Sequence, residues 1–393
     1  MIYDLDRPID RRDSDSAKWR HFEEDVLPLW VADMDFQSPE PVVRALQERV
    51  QHGVFGYGGD ALELREVIVE RMQALYDWRV TPDALVFVPG VVPGFNLACR
   101  TVTSPGDGVL MQTPVYPPFL QAPANASCRC DEMELTRLSA GRYEVDFDLF
   151  ERTITKGTRV FILCNPHNPV GRVFTRSELQ RMAEACLRHN LVICSDEIHC
   201  DLILQGHHHV PIASLAPEVE KRTITLVAPS KSFNVPGLHC SVAIIPDKEL
   251  RDRFKAASGG LVGGVNVLGL VAALAAYRDG QEWLEQVLRY VEHNWDALLH
   301  HIAERMPAIH TAKPEGTYLA WLDCRGLGLE ISPCEYFLKQ ARVGLGEGAL
   351  FGRGGKGFVR LNFACRRATL EQALERMEAA LNRRGPLKEG LTA

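Results

Sequence analysis

No stretch of about eighteen apolar residues occurs in the 393-residue chain, so a helical membrane span is not expected. The opening residues, Met1 to Arg7, are charged from Asp4 onward and hold no apolar core, which argues against a signal peptide. A disulfide framework is missing too. The eleven cysteines are odd in number and scattered, and several sit in apolar runs, as at Cys164, Cys186, Cys194 and Cys240. They read as buried thiols of a reducing compartment, so the expected location is the cytoplasm. The one close pair, Cys128-Arg-Cys130, lacks the two-residue gap of a zinc knuckle and reads as strand. Positive charge is not in excess: a net charge of -7 and a pI near 6.0 argue against nucleic acid or an anionic membrane as partner. Internal repeats and low-complexity segments are also absent.

What is present suits a soluble enzyme-sized protein. Hydrophobic content of 46% and charged content of 24% allow a large core, and the length suggests one large domain and one smaller. The first 38 residues read as an extended arm, with Trp30 and Phe36 set among charges at its end. Residues 39–280 read as the large domain, with the boundary in a long helical stretch near Gly280. Residues 281–393 alternate strand and helix patterns as a small α+β domain.

The chemistry-bearing residues fall at the ends of apolar, β-branched runs, where ligands of open α/β sheets bind. Ala84–Val88 runs into Pro89-Gly-Val-Val-Pro-Gly94 and then a helix, placing free backbone N–H groups and a positive dipole end where a phosphate would fit. That stretch carries neither a Walker loop nor a dinucleotide fingerprint. Tyr116 follows the next strand; Pro117 holds it extended, either to stack on a flat ring or to cap the core. Arg159–Cys164 ends in Asn165-Pro-His-Asn168-Pro-Val-Gly171. A capping box at Thr175-Arg-Ser-Glu178 opens the following helix, and a second strand ends at Ser195-Asp196-Glu197-Ile198-His199. Asn168 and Asp196 are 28 residues apart, and Asp196 and Lys231 are 35 apart, so each gap is about one crossover and the three converge. Lys231 follows the strand Thr223–Val227 and is flanked by Ser230, Phe233 and Asn234. The residues suggest a Schiff base with pyridoxal phosphate (PLP), with a surface lysine after a strand as the plain alternative. Tyr57, among four glycines, is either a loop aromatic or part of a close approach. Arg360, mid-strand in Gly357–Phe363, needs an internal carboxylate or an anionic ligand. Gln205-Gly-His-His-His209 points its histidines in divergent directions, so no metal site is expected.

Four motifs, Asn165–Gly171, Ser195–His199, Ser230–Gly237 and Val359–Phe363, together resemble the fold-type I PLP enzymes of the aspartate aminotransferase superfamily (class I/II). Trp30–Phe36, Thr113–Phe119 and Ser-Asp-Glu-Ile-His look most like its MalY/PatB group of C–S lyases. The resemblance implies an α/β protein: a mostly parallel seven-stranded sheet in a large domain, with a smaller α+β domain. It implies that Lys231 carries the PLP, Asp196 pairs with the ring nitrogen, Asn168 bonds the ring hydroxyl and Tyr116 stacks on the ring. Gly90, Val91, Val92 and Ser230 would hold the phosphate. Tyr57 would reach the phosphate of a neighbouring subunit in a homodimer. Arg360 would take the substrate α-carboxylate, with Trp30 and Asn168 beside it. Two positions depart from the wider superfamily. His199 stands where a tyrosine is usual, which fits the lyase group. His239 stands where a phosphate-binding arginine is usual. No arginine for a distal acidic substrate group is identifiable.

The implied reaction is α,β-elimination on sulfur-containing L-amino acids such as cystathionine or cysteine, giving a thiol, pyruvate and ammonia. Transamination is the competing fate, and a PLP-binding protein with a regulatory contact role is a third expectation.

Overall fold

The computed structural model describes residues 2–384 of the protein. The outer ends of the expected first and third domains, residue 1 and residues 385–393, lie outside the described residues.

Seven strands build the central sheet: β1 (Leu85–Val88), β2 (Gly108–Thr113), β3 (Arg129–Glu134), β4 (Thr158–Cys164), β5 (Val192–Asp196), β6 (Thr223–Val227) and β7 (Ser241–Ile244). Their spatial order is β1-β7-β6-β5-β4-β2-β3. All pairs from β6 across to β3 are parallel, and β7 is antiparallel to both its neighbours. The central strands read as continuous apolar or β-branched runs because helices cover both faces. Alternate residues part company as the pleat requires. Val109 and Met111 join Phe95, Phe119 and Phe254 on one side, while Leu110, Phe161 and Ile193 join Leu179, Met182 and Phe150 on the other. β1 and β3 are the edge strands, and the end residues of β3, Arg129 and Glu134, are polar and exposed.

The helix Arg176–Arg188 opens on the expected capping box: Thr175 accepts from the Glu178 N–H, and Glu178 accepts from that of Thr175. A helix spans Leu62–Tyr76. Asp77 turns left-handed there, with φ 51°, and Trp78 swings off to donate Nε1–H to Glu220. Gly280 separates two helices, Val267–Asp279 and Gln281–Arg305. Beyond them a three-stranded antiparallel sheet forms from β8 (Leu319–Asp323), β9 (Gly346–Glu347) and β10 (Phe358–Asn362), with β10 central. β8 begins only at Leu319, since Gly316 bridges Ile203 and Thr317 takes φ 73°. Among the described residues no helix is long and apolar enough to cross a membrane.

The N-terminal arm threads between the two sheets. Leu27 and Pro28 pair parallel with Val343 and Gly344. Further on, Asn362 donates Nδ2–H to the carbonyls of Val31 and Asp33, and Asn234 does the same to Met34 and Phe36. Beneath these contacts lies a charged knot: Lys18 is fully buried, and its amine meets Asp35 at 2.8 Å. Arg11 reaches both Asp33 and Asp35 at 2.6 Å, and Trp19 donates to Asp35 as well.

The turn after β4 is set by Gly171, which has φ +72° and whose carbonyl accepts from the N–H groups of Glu315 and Gly316. A Cβ there would lie 2.5 Å from the Pro314 Cβ. Left-handed strain and the clash add, so Gly171→Ala should lose about 2–4 kcal/mol, read as a lowered urea midpoint. A loss under about 1 kcal/mol would mean the turn relaxes freely.

Candidate active site

The register of the parallel strands sets the site. Cys164 lies opposite Asp196, and Asp196 opposite Leu226, so β4, β5 and β6 end level with one another. The loops leaving those ends carry Asn168, Asp196 to His199, and Ser230-Lys231. All but Glu197 line one cavity of about 380 Å³, together with Gly90, Val91, Val92, Tyr116 and His239. The three residues expected to converge do so.

Each wall has a clear local cause. The turn after β4 is pinned by Asn165 Oδ1 accepting from the Phe174 N–H and by His167 Nε2 against the Pro114 carbonyl at 2.8 Å. The Asn168 carbonyl accepts from the Tyr116 N–H, which ties the turn to the aromatic. Gly90 has φ +128° and turns β1 into the helix Val91–Val102, whose first N–H groups lie at the cavity wall beside the Ser230 hydroxyl and His239. Lys231 sits on a single helical turn, Pro229–Ser232, directly after β6, and its amine donates to the Ala32 carbonyl of the arm at 2.6 Å. Tyr318 Oη donates to the same carbonyl.

Arg360 comes from the middle of β10 and meets no internal carboxylate. Its Nη1 donates to Asn168 Oδ1 at 3.0 Å and its Nη2 to the Trp30 carbonyl at 2.8 Å, while its buried Nε has no partner. A guanidinium only donates, so the Asn168 atom facing it is oxygen and the amide nitrogen is left free of protein partners. The Trp30 ring, expected at the substrate, instead packs on His21 at 4.5 Å and donates to the Lys18 carbonyl. Only its main chain reaches Arg360.

Burial shifts Lys231, Arg360, Asp196 and His199. Desolvation lowers Lys231 to about 8, with Arg360 repelling its proton further. Desolvation brings Arg360 down to about 10, still cationic at neutral pH. Burial raises Asp196 to about 7; the Ile198 N–H bonded to its Oδ1 and the Lys231 charge oppose that rise. Its Oδ2 has no protein partner. Burial, then Lys231 and Arg360, hold His199 down to about 3, so its ring is neutral and its Nδ1 is unpartnered.

These donors fit a phosphorylated pyridine aldehyde. An amine stands for the aldehyde, a carboxylate oxygen for a ring N–H and an amide N–H for a ring oxygen; a helix N-terminus with a hydroxyl suits a phosphate. Tyr57 lies away from this cavity, fully exposed on the loop before Leu62. The histidine loop is split: His207 and His208 are exposed, while His209 is buried at 2.8 Å from Glu197, which also accepts from Ser195. Among the described residues no cluster of three or more His, Cys, Asp or Glu could hold a metal.

Sequence reading missed Ala32, Phe119, Cys164 and Ile198 in this wall. Cys164 had a signal: it ends β4 as Asp196 ends β5, so the same strand-end argument reaches it. Burial pushes its thiol up, which keeps it protonated.

The chain's residues 24–377 match the family described as aminotransferase class I and II. It is 39% identical to the cystathionine beta-lyase PatB of Bacillus subtilis (strain 168), covering 96% of this chain and 100% of that one. Its structure is similar to that of OvoB, with a TM-score of 0.92 and 44% identity over 99% of this chain and 100% of that one. Cystalysin from Treponema denticola, whose structure contains a pyridoxal 5'-phosphate cofactor, gives a TM-score of 0.94 and 34% identity over 98% and 100% of the two chains.

A lysine at about 8 is half neutral at that pH, whereas an ordinary one is protonated until above pH 10. The neutral fraction rises about tenfold from pH 7 to pH 9 and then levels off. Aldehyde capture at Lys231 in ligand-free protein, trapped with borohydride and read by peptide mass spectrometry, should follow that curve. A rate still climbing nearly tenfold from pH 8 to pH 9 would show an ordinary amine.

Proposed function

The chain belongs to the aminotransferase class I and II family, and on that premise we propose that it is a PLP-dependent C–S β-lyase. It acts on sulfur-containing L-amino acids and releases a thiol, pyruvate and ammonia. The observation that carries this reading is the Lys231 amine, desolvated in a cavity it shares with Asp196, whose Oδ2 makes no hydrogen bond among the described residues, and close to Arg360, whose buried Nε has no partner. The choice of elimination is supported by the similarity to the Bacillus subtilis lyase and by neutral His199 at the position where aminotransferases of the superfamily carry a tyrosine.

Bound in this cavity, PLP supplies an electron-accepting ring that stabilises negative charge at the substrate Cα. The protein does the rest. Arg360 takes the α-carboxylate through Nε and orients the Cα–H bond. With PLP bound, neutral Lys231 would accept the α-proton as general base. Asp196 keeps a proton on the ring nitrogen, and Asn168 donates to the ring oxygen. The Val91 and Val92 N–H groups and Ser230 hold the phosphate, and Tyr116 covers the ring. Loss of the α-proton and cleavage of Cβ–S expel a thiolate; hydrolysis of the remainder gives pyruvate and ammonia.

We further infer a homodimer in which Tyr57 reaches the neighbour's phosphate. Tyr57 is fully exposed among the exposed apolar residues Val54, Phe55 and Leu62, which suits burial against a second copy. Free cysteines throughout the chain support a cytoplasmic location.

Purified protein incubated with PLP and L-cystathionine should release pyruvate faster than it transfers amino groups to 2-oxo acids; the reverse ranking would favour the aminotransferase. Lys231→Ala should abolish pyruvate release and the near-visible absorbance of the loaded protein. A yellow, active variant would remove the lysine from its role. Arg360→Ala forfeits a buried charge-assisted contact to substrate, about 3 kcal/mol, so kcat/KM should fall roughly a hundredfold for every amino acid tested. An unchanged value would take Arg360 out of the site.

A further inference from the structure

The arm and Lys231 also border a second, larger cavity of about 760 Å³. It shares Ala32, Lys231 and Pro236 with the first, so the two meet at the lysine. With the α-carboxylate held on Arg360, which bonds the inner-cavity residue Asn168, the group beyond the sulfur has this outer space to extend into.

The inner wall of the outer cavity is charged but already satisfied. Arg11 commits Nη1 to Asp35 and Nη2 to Asp33, each at 2.6 Å, and Lys18 commits its amine to Asp35 at 2.8 Å. Two cations and two carboxylates cancel, and Asp35 stays ionised, its pKa lowered against the pull of burial by Lys18, Trp19 and Arg11. Two further groups line the cavity, Arg7 and Asp15. Arg7 is exposed and makes no ion pair or side-chain hydrogen bond among the described residues. Asp15 meets only Arg20, at 3.3 Å between two well-exposed side chains, a contact worth little in water. A balanced wall with one spare cation and one loosely held carboxylate suits a dipolar guest. It suits an apolar chain or a dianion less.

Building on the lyase reading, we propose that this cavity is the subsite for the substrate half beyond sulfur. Its preferred occupant is a second amino-acid end, with Arg7 taking the carboxylate and Asp15 the ammonium. The sequence alone could not single out Arg7, since it lies 224 residues from Lys231 and in no motif.

Three thioethers separate the parts: L-cystathionine, S-(3-carboxypropyl)-L-cysteine, which lacks the distal ammonium, and S-propyl-L-cysteine, which lacks both distal groups. In the PLP-loaded full-length protein, Arg7→Gln should lower the kcat/KM preference for either carboxylate-bearing compound over S-propyl-L-cysteine about tenfold, through KM, as expected for one charge-assisted bond. Asp15→Asn should lower the preference for cystathionine over the carboxypropyl compound about threefold. Preferences within twofold of wild type in Arg7→Gln overturn the subsite. Absence of pyruvate from all three compounds with wild-type protein overturns the lyase reading instead. The subsite is then decided by calorimetric affinities of cystathionine and S-propyl-L-cysteine, on the same tenfold and twofold criteria.

Discussion

Two buried cations, Lys231 and Arg360, lie near enough that Arg360 lowers the lysine's hold on its proton, beside a carboxylate, Asp196, whose own proton affinity is raised to about 7. Burying like charges near each other without full compensation is costly, and the cost appears in the groups themselves. The lysine gives up its proton more readily, and the neighbouring histidine stays neutral. An anion docked on Arg360 relieves the repulsion that Lys231 feels. The amine therefore gains basicity when a substrate carboxylate arrives, which is when a general base is needed. Asp196 responds in the opposite sense: a cationic ring nitrogen placed against its free oxygen lowers its raised proton affinity and keeps it ionised.

How much of this could be read from residues alone follows from what each residue contributes. Asn168, Asp196 and Lys231 were legible because strand ends are legible. Apolar β-branched runs stop at a definite residue, and one crossover per gap brings the stops to one rim. The capping box at Thr175 was legible because it is a local hydrogen-bond pattern. Ala32 was not, because it acts through a carbonyl oxygen that every residue possesses. Trp30 drew attention through its ring, yet its contribution to Arg360 is also main chain. The antiparallel sense of β7 could not be read either. A four-residue apolar strand carries no sign of its direction, and only the register with β1 and β6 reveals it.

The arm links the two sheets to the chemistry. Asn362, two residues past Arg360 on β10, and Asn234, three past Lys231, both clasp the backbone of residues 31–36. The Ala32 carbonyl is thereby held against the lysine amine by groups from opposite sides of the site. The buried Lys18–Asp35 pair fastens the other flank of the same segment, and breaking one half of such a pair costs about 3–5 kcal/mol. The arm is thus a wall of the site, built from residues whose side chains mostly face elsewhere.

The placement of β7 between β1 and β6 also bears on how the chain is made. Val88 pairs with Ser241, so β1 leaves the ribosome about 150 residues ahead of the only strand that covers its hydrogen-bonding edge. At roughly 5–20 residues per second, that edge waits about 8–30 seconds for its partner. During this interval β1 and the glycine turn after it hang from an unfinished sheet, with backbone groups open to foreign strands. The nascent polypeptide thus depends on late closure of the sheet, and the phosphate cradle is among the last parts to be completed.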